Sequence, residues 1–307
     1  MDIKTGREAQ ASRNNVQATG DRIFDAVLYI IGILALFSIL YPLYYVLIAS
    51  ISRQDLVMSG KVWFWPRGLT LEGYGALFEN SKIWNGYANT LLYTITGTAL
   101  SMFVTVPCAY SLARPDFKIR RPLMIFFLIT MFFSGGLIPT YLTLSHTLHL
   151  NNSIWVMIIP FCLNVFNLIL MRTYFENSLP RELWEAAQLD GCSNTYFLIR
   201  IAIPLSRAVL SVIMLYYVVA KWNDYFTGLI YLREPNLMPL QNILRDILLQ
   251  NQQLSSNLTG VGNMAALERA NMIKYSSIVV SSLPMMILYP FLQKYFEKGV
   301  MIGALKG

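Results

Sequence analysis

Residues Glu185–Pro204 read EAAQLDGCSNTYFLIRIAIP, a polar patch between two of the most apolar segments of the chain. Pro180, just upstream, suits a first helical turn, where its missing N–H would have no partner anyway. After it Leu183, Trp184, Ala187 and Gly191 recur at helical spacing on one side, and Arg181, Glu182, Glu185 and Gln188 fall on the other. The pattern predicts a short amphipathic helix. Ala187 and Gly191 leave room for another backbone along the apolar stripe, and Gly191 suits the left-handed conformation that ends a helix. Ser193 or Asn194 is a candidate N-cap for a second short helix through Arg200, which Pro204 separates from, or kinks into, the apolar run that follows. A helix, a glycine turn and a helix joined to two apolar runs make a stiff projection with the shape of a lever. An amphipathic loop resting on lipid headgroups has the same periodicity.

The rest of the chain places this patch. Of 307 residues 55% are hydrophobic and only 13% charged, and the mean hydropathy is +0.47; soluble domains carry about 25% charge. The composition is that of an integral membrane protein. A helix needs about 20 apolar residues to cross the hydrocarbon, and six runs of that order occur: 24–50, 89–113, 123–142, 154–174, 208–230 and 275–296. None alternates as a barrel strand would. The expected fold class is therefore an all-α integral membrane protein with six transmembrane helices. It has a polar N-terminal segment 1–23, a membrane domain 24–296 with the polar loop 175–207, and a tail 297–307.

Orientation follows from Lys and Arg. With the N-terminus inside, the inner segments hold 15 basic residues and the longer outer ones 9, so both termini are expected in the cytoplasm. The first 23 residues lack the apolar core and cleavage site of a signal peptide. The net charge of +7 is accounted for by this bias and by contact with anionic lipid, which leaves no need for nucleic acid as a partner. Cys108, Cys162 and Cys192 lie in two different runs and a loop, without metal-ligand or disulfide-framework spacing.

The opening stretch also carries a resemblance. Glu185-Ala186-Ala187, Gly191 four positions later and Ile201-Ala202-Ile203-Pro204 resemble the EAA motif of ATP-binding-cassette importer permeases, in register throughout. Asp190 before the glycine is typical of the sugar-importing branch. Ile203 stands where leucine is usual and Arg207 where a proline often occurs. SGGLIPTYL at 134–142, FNLILMRTYF at 166–175, Trp222-Asn223, PLQ at 239–241 and the terminal GALKG are similar to the smaller permease of maltose-type importers, particularly those handling polysaccharide-derived oligosaccharides. The resemblance implies a type I importer permease fold, with the EAA helix as a coupling helix seated on a cytoplasmic ATPase. Glu185 would then make polar or charged contacts with the ATPase, Ala186 and Ala187 would allow close packing, Gly191 would shape the turn, and Asp190 would belong to the same coupling set. The implied partners are a second related permease, two ATPase subunits that use ATP and Mg, and an extracytoplasmic solute-binding protein, in a bacterial plasma membrane. This chain itself would bind no cofactor, and the tail from Lys298 would reach toward the ATPase.

A sugar path needs hydrogen-bonding groups and aromatic faces sheltered from lipid. The runs offer Asn89, Thr94, Asn164, Asn167, Tyr216, Tyr217, Lys221, Trp222, Asn223 and Asp224. Asn and Thr also bond between membrane helices, and Tyr and Trp gather at the interface. Lys221 stands out, because a charge within a span faces a cavity or a partner. It would either pair with Asp224 or receive an acidic sugar such as a uronic-acid oligosaccharide. The segment 231–274, rich in Gln, Asn and Ser, is long for a simple connection; it would be disordered or, by the resemblance, face the binding protein.

Other classes fit less well. His146 and His149 are the only histidines, with no third ligand type nearby in the sequence, and neither HExxH nor GxSxG occurs. A proton- or sodium-driven transporter, or a channel, would need no ATPase, but such transporters commonly set acidic residues within their spans. Here those residues sit in loops or near helix ends. The chain has no P-loop, so ATP hydrolysis is expected in separate subunits.

Overall fold

The computed structural model describes the backbone of residues 3–257 and 264–304 and the side chains of residues 24–250, 253, 268–288 and 290. The N-terminal segment 1–23 and the tail 297–307 thus lie outside the described side chains. In order come α1 (Ile3–Ser50), α2 (Gln54–Met58), α3 (Glu72–Phe78), α4 (Ser81–Ala113), α5 (Arg120–Phe132), α6 (Leu137–Leu142), α7 (Trp155–Ile158) and α8 (Val165–Ser178). They are followed by α9 (Arg181–Leu189), α10 (Asn194–Phe197), α11 (Ile203–Leu205), α12 (Arg207–Trp222), α13 (Tyr225–Tyr231), α14 (Leu240–Asn257) and α15 (Met264–Ala304). The described residues hold no strand beyond one isolated bridge between Ser52 and Leu69.

Among the described residues three helical segments, Phe24–Ser50, Ser81–Ala113 and Glu268–Leu288, are long and apolar enough to cross a bilayer. The other expected spans are interrupted, which corrects the sequence reading. The run 123–142 breaks after α5 at Phe133–Gly136, where Gly136 has φ 85°, and α6 leaves at 110° to α5. The run 154–174 yields only the four-residue α7 before Pro160 and Phe161, the latter at φ 59°, and then α8. The run 208–230 stops at Asn223, because the Asp224 carboxylate accepts the Thr227 N–H at 3.1 Å and starts α13 afresh. Continuous hydropathy concealed all three breaks, since Pro, Gly and cap residues interrupt a helix without making the run polar. α4 begins eight residues before its expected start, where Asn80 accepts the Lys82 N–H.

Within the segment 231–274 the described residues 240–257 and 264–274 are helical. Leu240, Ile243, Leu244 and Ile247 form one face of α14 and pack with Leu77, Ile83, Trp222 and Val280. A second core gathers Val106, Tyr110, Leu168, Met171, Phe175, Phe197, Ile213 and Tyr217 at the end of the bundle that carries α9. α4 runs through both cores, against α8, α12 and α14.

Lipid tails are as apolar as leucine, so helices within a bilayer are held by close packing and interhelical hydrogen bonds rather than by expulsion of water. Such bonds recur along α4. The Thr90 hydroxyl accepts the Leu240 N–H at 2.8 Å, the Tyr93 hydroxyl donates to the Leu237 carbonyl at 2.8 Å, and the hydroxyls of Thr105 and Tyr217 lie 2.7 Å apart.

Candidate functional site

The break between α7 and α8 opens a cavity of about 890 Å³ facing α12. Asn164 begins α8 by accepting the Asn167 N–H at 3.1 Å, which turns the first residues of that helix toward α12. The Asn164 N–H in turn donates to the Tyr217 hydroxyl at 3.1 Å. Six of the expected path residues line this one cavity: Asn164, Asn167, Tyr216, Tyr217, Lys221 and Asp224. Phe161 and Thr227 join them and were missed. The Pro160-Phe161 pair inside an apolar run was the available signal for Phe161; its ring is exposed and its left-handed backbone is uncommon for a bulky residue.

Lys221 supplies the cavity's cation. Its ammonium donates to the Met157 carbonyl at 2.8 Å, at the end of α7. Asp224 is used as the α13 cap, and among the described residues no carboxylate lies within ion-pair distance of Lys221. Of the two roles open to it, pairing with Asp224 is therefore not the one observed. The cavity combines amide groups, phenols, an exposed phenyl ring, the Lys221 ammonium and the Asp224 carboxylate, a set that suits hydroxylated ligands, with Lys221 as its one group for an anion.

The remaining expected path residues lie elsewhere. Asn89 donates to the carbonyls of Asn236 at 2.6 Å and Met238 at 3.1 Å, tying α4 to the segment before α14. Trp222 is 2% exposed, with its indole N–H on the Ser281 carbonyl at 3.0 Å, which joins α12 to α15. Asn223 faces a neighbouring cavity with Gln241 and Ser282, and Thr94 is buried. Polar side chains near helix ends met backbone partners here, a role that sequence spacing cannot separate from ligand contact. Among the described residues no three His, Cys, Asp or Glu side chains gather into a metal site.

At the other end of α12 the stretch first quoted forms α9, a turn and α10. The Cys192 N–H donates to the Ala187 carbonyl at 2.9 Å and the Gly191 N–H to the Gln188 carbonyl at 3.0 Å, with Gly191 at φ 73°. This is a Schellman closure, which requires a left-handed residue after the helix. Ser193 caps α10 by accepting the Tyr196 N–H at 3.2 Å. A bend of 87° at Ser206 then leads into α12.

Ala187 is buried in this chain's own core, so its small side chain serves packing inside the subunit. Glu185, Ala186 and Asp190 are exposed. Arg114, at the end of α4, stacks its guanidinium 3.4 Å from the Trp184 ring centre and donates to Tyr110 and, through two nitrogens, to Asp116. Those bonds hold the Asp116 carboxyl below its ordinary range. Trp184 also meets Phe197 edge-on at 4.8 Å. The two short helices thus pack against the ends of α4 and α8.

Comparison with known proteins agrees with this architecture. The family model described as "binding-protein-dependent transport system inner membrane component" matches residues 75–302. The chain is 35% identical over 289 residues to the polygalacturonan/rhamnogalacturonan transport system permease protein YtcP of Bacillus subtilis (strain 168), covering 94% of this chain and 99% of that one. It is 35% identical over 288 residues to protein LplC of the same organism, covering 93% and 96%. Among solved structures, a chain from a bacterial ABC transporter involved in the import of the acidic polysaccharide alginate matches with a TM-score of 0.80 and 33% identity. That match covers 90% of this chain and 98% of the other.

Proposed function

Because the chain belongs to the family of binding-protein-dependent transport system inner membrane components, we propose that it is one permease subunit of an ATP-driven importer carrying an oligosaccharide, acidic sugars included, across a bacterial plasma membrane. The observation that carries this reading is the 890 Å³ cavity where Asn164, Tyr216, Tyr217 and the unpaired Lys221 converge. Sugar hydroxyls would meet the amides and phenols, an apolar ring face the Phe161 ring, and a carboxylate the Lys221 ammonium. A charge-assisted bond of that kind is roughly twice as strong as a neutral one.

The working assembly has a second related permease, two ATPase subunits that hold ATP and Mg, and an extracytoplasmic binding protein. Six spans are obtained when each interrupted pair counts as one: α1, α4, α5 with α6, α7 with α8, α12 with α13, and α15. Both termini are then cytoplasmic. The ordered segment around α14 faces the binding protein. α9 is the coupling helix, and Glu185, Ala186, Asp190 and the Gly191 turn form its surface toward the ATPase. ATP moves α9 only because it binds the closed ATPase pair more tightly than the open one; a nucleotide with equal affinity for both would shift nothing.

The test is reconstitution of the purified assembly in proteoliposomes with the binding protein, measuring uptake of uronic-acid and neutral oligosaccharides. ATP-dependent uptake, with acidic sugars lost selectively in Lys221→Gln, is expected. Uptake by this chain alone, without ATPase subunits, would overturn the proposal in favour of a secondary transporter or channel.

A further inference from the structure

The stem of Lys221 packs against Gly97, a residue outside the cavity lining. Gly97 lies on the α4 face against α12, and a Cβ added there would meet the Lys221 stem: Cε at 3.0 Å, Cδ at 3.2 Å and Cγ at 3.6 Å. Gly86 differs: a Cβ there would meet the Ile243 side chain, Cδ1 at 2.7 Å, and the Leu240 backbone, Cα at 3.0 Å and N at 3.2 Å, so Gly86 admits a neighbouring main chain as well as a side chain. Small residues at membrane helix contacts usually serve that purpose. At Gly97 the three nearest atoms all belong to one flexible, charged side chain. The stem runs through this notch, and its ammonium bonds the Met157 carbonyl at 2.8 Å. An ammonium has three donors, so the hydrogen bond to Met157 leaves two for the cavity that Lys221 lines.

We infer that Gly97 is a positioning residue for Lys221. Its missing side chain is the notch that, together with the Met157 carbonyl, fixes the ammonium at the cavity wall where it meets a carboxylate of the transported sugar. The inference rests on the sugar-path reading of the cavity. Because the stem is flexible, alanine at position 97 would push it aside by a few tenths of an ångström rather than part the helices, which makes Gly97→Ala a selective perturbation. Lys221→Gln removes the charge and keeps the notch. The two substitutions therefore act on one device and should not add.

The experiment uses the full importer in proteoliposomes, with a uronic-acid trisaccharide and its carboxyl-reduced counterpart as probes. Gly97→Ala is expected to raise KM for the acidic probe on the order of tenfold, as for the loss of one hydrogen bond to a charged group. kcat and the neutral KM should stay unchanged, and Gly97→Ala should have no effect in a Lys221→Gln background. A second readout is independent of substrate: the rate at which a small amine-acylating reagent modifies Lys221, followed by peptide mass spectrometry, should change several-fold in Gly97→Ala. Unchanged Lys221 labelling, or an effect of Gly97→Ala that persists in the Lys221→Gln background, overturns the inference. Altered labelling with equal responses of the two trisaccharides upholds the notch and removes the acidic-substrate reading instead. Should Gly97→Ala fail to assemble, the double variant with Lys221→Ala serves: it takes the stem out of the notch, so assembly should return, and a double variant that also fails would overturn the inference.

Discussion

Gly191→Ala isolates the contribution of one backbone angle to the α9–α10 turn proposed as the coupling element. Gly191 sits at φ 73°, and a Cβ there would touch nothing within 4 Å, so the substitution has no steric cost from neighbours. What remains is the left-handed conformation itself, which costs an L-residue about 1–2 kcal/mol. Loss of glycine's freedom in the unfolded chain returns about 0.4–1 kcal/mol. The net is roughly 1 kcal/mol, or about fivefold in the opening equilibrium of the turn. That opening releases the Cys192 and Gly191 amides from the carbonyls of Ala187 and Gln188. Hydrogen exchange by mass spectrometry on peptides covering 187–192, in the purified assembly, reads it directly. About fivefold faster exchange is expected for alanine, with Gly191→Asn nearer to wild type because asparagine tolerates the left-handed region. ATP consumed per sugar imported should rise in parallel as that turn softens. Alanine exchanging as slowly as glycine, or asparagine exchanging faster than alanine, would refute the backbone account.

The Tyr217 hydroxyl joins Thr105 and the Asn164 N–H, so Tyr217→Phe leaves two groups without that partner; a loss of about 1–3 kcal/mol is expected, read as lower thermal stability in detergent. Arg114 holds the Asp116 carboxyl below its ordinary value by hydrogen bonding, so the pair's contribution is complete above the ordinary carboxylate pKa and disappears as pH falls through the lowered one. Acid melting curves should accordingly be flatter for Asp116→Asn than for wild type. Glu185 pairs with Arg181 at 2.9 Å on an exposed face, where such a pair is worth about 0.5 kcal/mol or less. Glu185→Gln should thus leave melting unchanged while lowering ATP-driven uptake several-fold; a stability loss that accounts for the uptake loss would remove Glu185 from the ATPase contact.

The legible parts of the molecule were those governed by neighbours along the chain. The amphipathic face of α9, a cap at Ser193 or Asn194 and the left-handed Gly191 depend on spacing within a few residues, and the structure forms all three, with Ser193 as the cap. The breaks in α5–α6 and α7–α8 were less visible. Phe161 and Gly136 interrupt helices through their backbone angles, to which a hydropathy window is blind. The candidate site was legible in kind and only partly in membership. Polar groups within apolar runs pointed to Asn164, Tyr217 and Lys221, yet the same rule also selected Asn89 and Trp222, whose donors are taken up by distant carbonyls.

By itself the sequence determined that the chain is a helical membrane protein and that Glu185–Pro204 holds a short amphipathic helix ended by Gly191 between apolar runs, because composition and short-range periodicity suffice for both. Only the tertiary structure decided which polar residues share a cavity and which join helices. It alone showed that Ala187 faces inward, that Asp224 caps α13 rather than pairing with Lys221, and that Gly97 receives the stem of a lysine far away in sequence. Each of those outcomes is a competition among hydrogen-bond and packing partners that residues distant in the chain bring to the same place.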